Sequence, residues 1–441
     1  MKNKKAITAM LLASVLTAGT LTACGGNSDS KNTSGSTSGG SGGENTVNVW
    51  TWEPYENQKE VIADFNKAHP EIEVTFTTID SADMPMKVQT ALASDSEIGD
   101  VIWSEVSQRG KMMALDCWED LEAEPYNANR EELLDFMVPV SVTPSGTLAG
   151  IEVSPPVAGL AYKRDLAKEY LGTDDPEELE AMLGDWDSFI AKGEEVRDKS
   201  NGSVYMFTNC SAISSLIRHQ NQEPFVKDGT LNLEASLGET IDRAIEMKQK
   251  GIVDNIENNT PAADAAWSGS NHIFFLCATW SPTWEIKAKD ENGSGNWGFI
   301  NPPGGGCLSG GTVVCIPKAA ENKEAAWEYI KWNYLSEEGA VSNRDHLDYF
   351  SVYKPVYEDE TFYSRPDEFF GGQDVLKAFA QDLIPTMSVP REVTKYDTEV
   401  INALDVAMTE IDKSDKGNVS ADDLMADMEK DILNKAPDLK G

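Results

Sequence analysis

Over its first sixty or so globular positions the chain changes hydrophobic period several times. Val47-Asn48-Val49-Trp50-Thr51-Trp52 alternates, as a strand with one buried face requires. Val61, Ile62, Phe65 and Ala68 then recur at helical spacing until His69-Pro70 stops the helix. Ile72, Val74 and Phe76 alternate again, Met84, Val88, Ala91 and Leu92 form the next helical stripe, and Asp100-Val101-Ile102-Trp103 is a short run of buried-strand type. Strand, helix, strand, helix, strand predicts a parallel sheet with right-handed crossovers, and so an α/β fold. The pattern continues with strands at 157–162 and 203–208 on either side of a helix through Trp186, Phe189, Ile190 and Val196. Two more apolar runs, 272–277 and 312–316, have strand character. Ala325, Ala326, Tyr329, Ile330 and Asn333 return to helical spacing. Amphipathic helices on Val400, Leu404, Ala407 and Ile411, and on Leu424, Met428 and Ile432, close the chain.

Before the first strand lies a different kind of sequence. Lys2, Lys4 and Lys5 precede a short apolar stretch from Ala6 to about Leu16, and Leu21-Thr22-Ala23-Cys24 follows. A basic start, an apolar run and small residues before a cut are the parts of an export signal. The run is too short to cross a bilayer, which takes roughly 20 apolar residues. The four residues ending at Cys24 resemble a bacterial lipoprotein cleavage box, which implies a signal over 1–23 and a lipid on Cys24. A soluble secreted protein with an incidental cysteine is the plainer alternative. Residues 25–44 are almost entirely Gly, Ser, Asn and Thr, a tether that would hold the globular body roughly 25 Å from the lipid. Such an anchor suits the outer face of a cell with a single membrane.

Composition narrows the partners. A chain of 441 residues is long for one core and comfortable for two lobes. Its formal net charge of −37 disfavours nucleic acid and anionic substrates, while neutral and cationic ligands stay open. Of six cysteines, five remain beyond Cys24, so no complete disulfide framework is implied; Cys307 and Cys315 are close enough in sequence to pair, but buried thiols fit the composition better. The four histidines are scattered and no cysteine spacing matches a zinc pattern, so neither a metal nor another cofactor is expected. Asp412 to Gly417 has the outline of a calcium loop but places Lys416 where an oxygen ligand is needed.

In open α/β sheets ligands bind beyond the carboxyl ends of the strands. That rule selects Trp52 and Glu53 after the first strand, Asp80 after the second, and Trp103 and Glu105 at the third. It also selects Asn209 after the 203–208 run, and Trp280 and Trp284 after 272–277. Indole faces stack on the apolar faces of sugar rings, while carboxylates and amides take the hydroxyls. Acidic pairs such as Glu131-Glu132 are ordinary solvated surface in so acidic a chain, and neither a nucleophile elbow nor a phosphate loop is present.

The chain resembles the extracellular solute-binding proteins of family 1, the sugar-binding lipoproteins of ABC importers. The likeness is carried by Val49-Trp50-Thr51-Trp52, Phe65 through Val74, Gly99-Asp100-Val101-Ile102, and Gly150-Ile151 through Tyr162-Lys163-Arg164-Asp165. Ala278-Thr279-Trp280, Gly310-Gly311 and Glu324 through Lys331 complete it. The order of these fragments is similar to that in maltose-binding-type members. This implies a two-lobed periplasmic-binding-protein fold with a hinge and a ligand cleft between the lobes. On that likeness the first lobe holds 45–154 and 262–315, the second 155–261 and 316–441, with hinges near Pro155-Pro156 and Ile316-Pro317. Trp103 and Trp280 match stacking positions, Gly310 and Gly311 lie where backbone approaches ligand, and Tyr349, Phe350 and Tyr353 are second-lobe candidates. The segment Trp267 to Phe274 departs from the family pattern.

The resemblance implies a non-enzymatic, monomeric receptor that captures a neutral mono- or oligosaccharide and presents it to a membrane permease. A polyamine or other cation in the same cleft, and a surface-anchored carbohydrate-active enzyme, are the alternatives.

Overall fold

β1 (Thr46–Thr51) is extended because its alternation turns Val47 and Val49 toward one core and Trp50 toward another. α1 (Tyr55–Ala68) buries Val61, Ile62 and Phe65 against that sheet, and β2 (Glu73–Thr78), α2 (Met84–Ser94) and β3 (Val101–Glu105) follow. β1 pairs in parallel with both β2 and β3, as the periodicity predicts. α3 (Val106–Met113) leaves β3 directly, and β4 (Gly150–Glu152) comes after a long irregular stretch. The computed structural model describes residues 45–441. The expected export signal, Cys24 and the tether lie outside the described residues.

Past Ser154-Pro155-Pro156 the chain enters a second sheet. Its central strand β5 (Val157–Lys163) is buried throughout: Val157 and Ala161 face one core, Ala158, Leu160 and Tyr162 the other. α4 (Arg164–Tyr170), α5 (Pro176–Met182), α6 (Trp186–Ser200) and α7 (Cys210–Gln220) come next. A hairpin of β6 (Val226–Lys227) and β7 (Thr230–Leu231) and the long α8 (Leu233–Gln249) follow. After α9 (Pro261–Ser268), β8 (Phe274–Ala278), β9 (Trp297–Ile300) and β10 (Cys307–Leu308) all pair antiparallel with β5. β11 (Thr312–Cys315) returns to the first sheet, giving the order β2-β1-β3-β11-β4, and α10 (Lys323–Tyr334) and α11 (Glu337–Leu347) pack on that side. After the single turn α12 (Val375–Lys377), α13 (Asp397–Lys413) and α14 (Ala421–Lys435) go back to pack on α7 and α8.

Several expectations change. The first sheet is mixed, because β11 is antiparallel to β3 and β4. The segment 262–315, expected with the first sheet, supplies β8, β9 and β10 to the second and only β11 to the first, and residues 323–347 belong with the first sheet. The hydrogen-bonding needs of β5, which no local periodicity encodes, decide this grouping. The chain therefore crosses between sheets at 154–156, at 309–311 and at 387–396. Ile316-Pro317 stays beside the first sheet, where Ile316 accepts from Glu119 N at 2.9 Å. Residues 203–208 form single bridges, Tyr205 to His272 and Phe207 to Val253, in place of the expected strand. The five described cysteines are free and buried, and Cys307 and Cys315 stand in different sheets. Among the described residues no helix is long and apolar enough to cross a membrane.

Candidate functional site

Where the crossings meet the carboxyl ends of β1 and β3, a cavity of about 420 Å³ opens. One wall is Trp52 and Glu53, just past β1, with Trp103 and Glu105 on β3. The opposite rim is Trp280 and Trp284, just past β8, and Gly310, Gly311 and Tyr349 complete the lining. Eight residues expected from strand ends or the family likeness, Trp52, Glu53, Trp103, Glu105, Trp280, Trp284, Gly310 and Gly311, are thus brought to one space.

The indoles are not equivalent. Trp280 and Trp284 are 36 % and 40 % exposed, large apolar surfaces held in water at the cavity mouth. Trp284 sits on a π-helical turn, Pro282–Lys287, and Trp280 Nε1 donates to Ser309 O at 3.4 Å. Trp103 is only 2 % exposed, contrary to the expectation that strand-end indoles face the rim. It sits mid-strand on the same face as Val101 and meets Trp52 edge to face, with ring centroids 5.5 Å apart. Its indole N–H is buried and has no hydrogen-bond partner, an unmet donor in the wall of a cavity.

The carboxylates are already engaged. Glu53 accepts from Asn57 Nδ2 and Gln58 Nε2, each at 3.2 Å, and burial pushes its carboxyl above the ordinary value. Glu105 caps α3 by accepting from Ser107 N at 2.8 Å. Glu152, on β4, is fully buried: it accepts from Arg109 Nη2 at 3.0 Å and from Thr312 N at 2.6 Å. Burial raises its carboxyl to about 7, against the lowering pull of Arg109. Glu152 thus ties β4, which precedes the first crossing, to α3 through Arg109 and to β11, which follows the second, through Thr312 N. Gly311, at φ 108°, makes the close approach possible, since a Cβ there would lie 2.8 Å from Pro156 Cγ.

Asp80, Asn209 and Tyr353 are not part of this cavity. Asp80 is exposed and accepts from Ala82 N at 2.9 Å ahead of α2. Asn209 is buried as the N-cap of α7; its Oδ1 accepts from Ala212 N and its Nδ2 donates to Ile256 O and Asn258 Oδ1, which leaves the amide no free group. Tyr353 bridges Leu133 through its backbone, and Tyr349 stands at the cavity instead. Glu152 and Arg109 were not anticipated, although an acidic residue inside the apolar run Gly150-Ile151-Glu152-Val153 was the available signal. Among the described residues no three His, Cys, Asp or Glu side chains gather as a metal would need.

Two sheets joined by three crossings, with a tryptophan-lined cavity at the junction, form a two-lobed binding fold. Residues 60–368 match the family described as bacterial extracellular solute-binding protein. The chain belongs to that family. A lactose-binding protein of Rhizobium radiobacter is 24 % identical over 400 residues, covering 82 % of this chain and 86 % of that protein. Among solved structures, an extracellular solute-binding protein of family 1 superposes with a TM-score of 0.79 at 20 % identity, over 89 % of this chain and all of that one. The sugar-binding protein MalE of Xanthomonas citri gives 0.71 at 18 %, over 89 % and 98 %. The galacto-N-biose/lacto-N-biose I-binding protein of Bifidobacterium longum gives 0.68 at 19 %, over 91 % and 100 %. These relatives are binding proteins, and this solute-binding chain shares their architecture.

Proposed function

We propose that this solute-binding protein captures a neutral mono- or oligosaccharide between its lobes and presents it to the permease of an ABC importer, held at the extracellular face of the membrane by a lipid on Cys24. The observation that carries the reading is the division of labour in the cavity. Three indoles, Trp52, Trp280 and Trp284, offer exposed apolar surface and a fourth, Trp103, an unmet N–H, while Glu53, Glu105 and Glu152 each already serve donors of the protein itself. Glu152 is already neutralised by Arg109, and the lone pairs left on Glu53 and Glu105 can take sugar hydroxyls beside the indole faces. The names of the relatives, lactose-binding and lacto-N-biose-binding among them, support the same class. A ligand that touches both lobes favours their closed arrangement by its extra contacts there, and the permease reads that arrangement.

A thermal-shift panel of neutral saccharides and polyamines tests the class. At a hundred times its dissociation constant a ligand adds about 2.7 kcal/mol to native stability. The reading expects a rise in melting temperature with a sugar series, and a rise with spermidine alone would replace it. The anchor is tested separately: Cys24→Ser should move the protein from the membrane fraction to the medium.

A further inference from the structure

The cavity does not end at Trp280. A second cavity of about 410 Å³ shares that indole and continues along the second sheet, walled by α7 and α13. On α7, Ser211, Ser215 and Arg218 recur four and three residues apart and so share one helical face, while Ile213, Leu216 and Ile217 fill the core from the other. The polar stripe of this amphipathic helix therefore lines a cleft.

The charges in the second cavity are unevenly satisfied. Lys289 pairs with Asp264 at 3.0 Å and lies 3.9 Å from Glu285. Arg218 has no such contact: its Nε is buried without a hydrogen bond, and it feels Asp405 and Asp397 only from beyond ion-pairing distance. The side chain as a whole is partly exposed, but its buried Nε is costly unless an oxygen acceptor reaches it. Its planar fork suits two adjacent oxygens. Asp264, Glu285 and Asp405 line the same space, so carboxylates outnumber cations there and an anionic ligand group is disfavoured. Neighbouring hydroxyls of a neutral sugar ring meet both conditions.

We propose that the second cavity is a further sugar subsite, that Arg218 donates to adjacent hydroxyl oxygens of the ring seated there, and that the ligand is an oligosaccharide of at least two rings straddling Trp280. The proposal rests on the saccharide reading and is narrower than it. It excludes a monosaccharide as the preferred solute and makes Arg218 a specificity-determining residue.

The test is calorimetric titration of the full chain with glucose, galactose, lactose, maltose and their trisaccharide extensions, in the wild type, Arg218→Met and Arg218→Lys. The expected result is that a di- or trisaccharide binds at least about tenfold more tightly than its component monosaccharides. R218M should lose roughly ten- to a hundredfold of the affinity for the longer ligand, the worth of hydrogen bonds from a charged donor, with monosaccharide binding within about twofold of wild type. R218K, which keeps the charge and loses the fork, should fall between, and it carries the comparison if R218M does not fold. Equal affinity for mono- and disaccharide in the wild type, or equal weakening of both by R218M, overturns the subsite and leaves the saccharide reading standing. Tighter binding of a digalacturonate than of any neutral disaccharide overturns the neutral assignment. No heat with any sugar in the wild type is a different failure, that of the saccharide reading itself.

Discussion

Replacing Arg109 by Met leaves the Glu152 carboxylate without its only cation at a place where neither side chain has room for water: the two are 2 % and 0 % exposed. Breaking one side of a buried pair costs about 3–5 kcal/mol where the other charge stays behind, and less where that group can take up a proton instead. The loss should depend on pH, and its sign follows from Glu152. Burial holds the native carboxyl up at about 7, against 4.5 as its ordinary value. The native state therefore binds this proton more tightly than the unfolded chain. The contribution to stability is greatest below pH 4.5 and is lost as the pH rises through 7, at up to about 1.4 kcal/mol per pH unit and about 3 kcal/mol in all. Without Arg109 the carboxyl moves further up and keeps its proton past pH 7, so R109M should lose a further ~1.4 kcal/mol per pH unit above 7, about 2 kcal/mol relative to wild type at pH 8.5, and be nearly equal to it at pH 5, where the neutral acid needs no cation. Urea denaturation of both proteins at pH 5, 7 and 8.5 measures this. Adding Glu152→Gln, which keeps an acceptor for Thr312 N, should restore most of the loss at pH 8.5. An equal deficit at all three pH values, or a double variant no better than R109M, refutes the reasoning.

Other expectations follow from the cavity walls. Trp280→Ala removes an indole about a third exposed; covering about 85 Å² of it is worth about 2 kcal/mol, so sugar affinity by calorimetry should fall about thirtyfold with the melting temperature little changed. Trp103→Phe deletes the unpaired buried N–H and keeps an apolar ring, so thermal stability should hold or rise while sugar affinity drops about tenfold. Gly311→Ala meets both a positive φ and the Pro156 ring and should cost about 2–4 kcal/mol in urea denaturation. Gly310→Ala, where the nearest atom is Trp280 Nε1 at 3.5 Å, should cost less.

Local pattern carried much of the architecture. The alternation around Val47 and Val49, the helical stripe of Val61, Ile62 and Phe65, and the closing stripes on Leu404 and Ile432 all became the elements they predict, because each buries its apolar positions on one side only. Pairing partners were not legible. β5 and β8 are both apolar runs, and nothing in either says that Leu160 lies opposite Leu276 in the second sheet. The site was readable to the extent that strand ends determine it, which located Trp52 and Trp280. It was unreadable where capping competes with ligand contact: Asn209 follows a strand-like run as a binding residue could, yet its amide is consumed at the start of α7. Arg109 was hidden because a buried ion pair depends on two elements meeting and alone it has the look of a surface charge, whereas Glu152, set inside an apolar run, was the half that carried a signal.

On this proposal a neutral saccharide occupies the tryptophan-lined cleft between the two lobes. Calorimetric titration of the purified protein with neutral disaccharides on one side and spermidine on the other addresses it most directly. One sugar should bind per chain, with a negative heat-capacity change from covering indole surface and with no heat from spermidine. Saturable heat from spermidine with none from any sugar would contradict it.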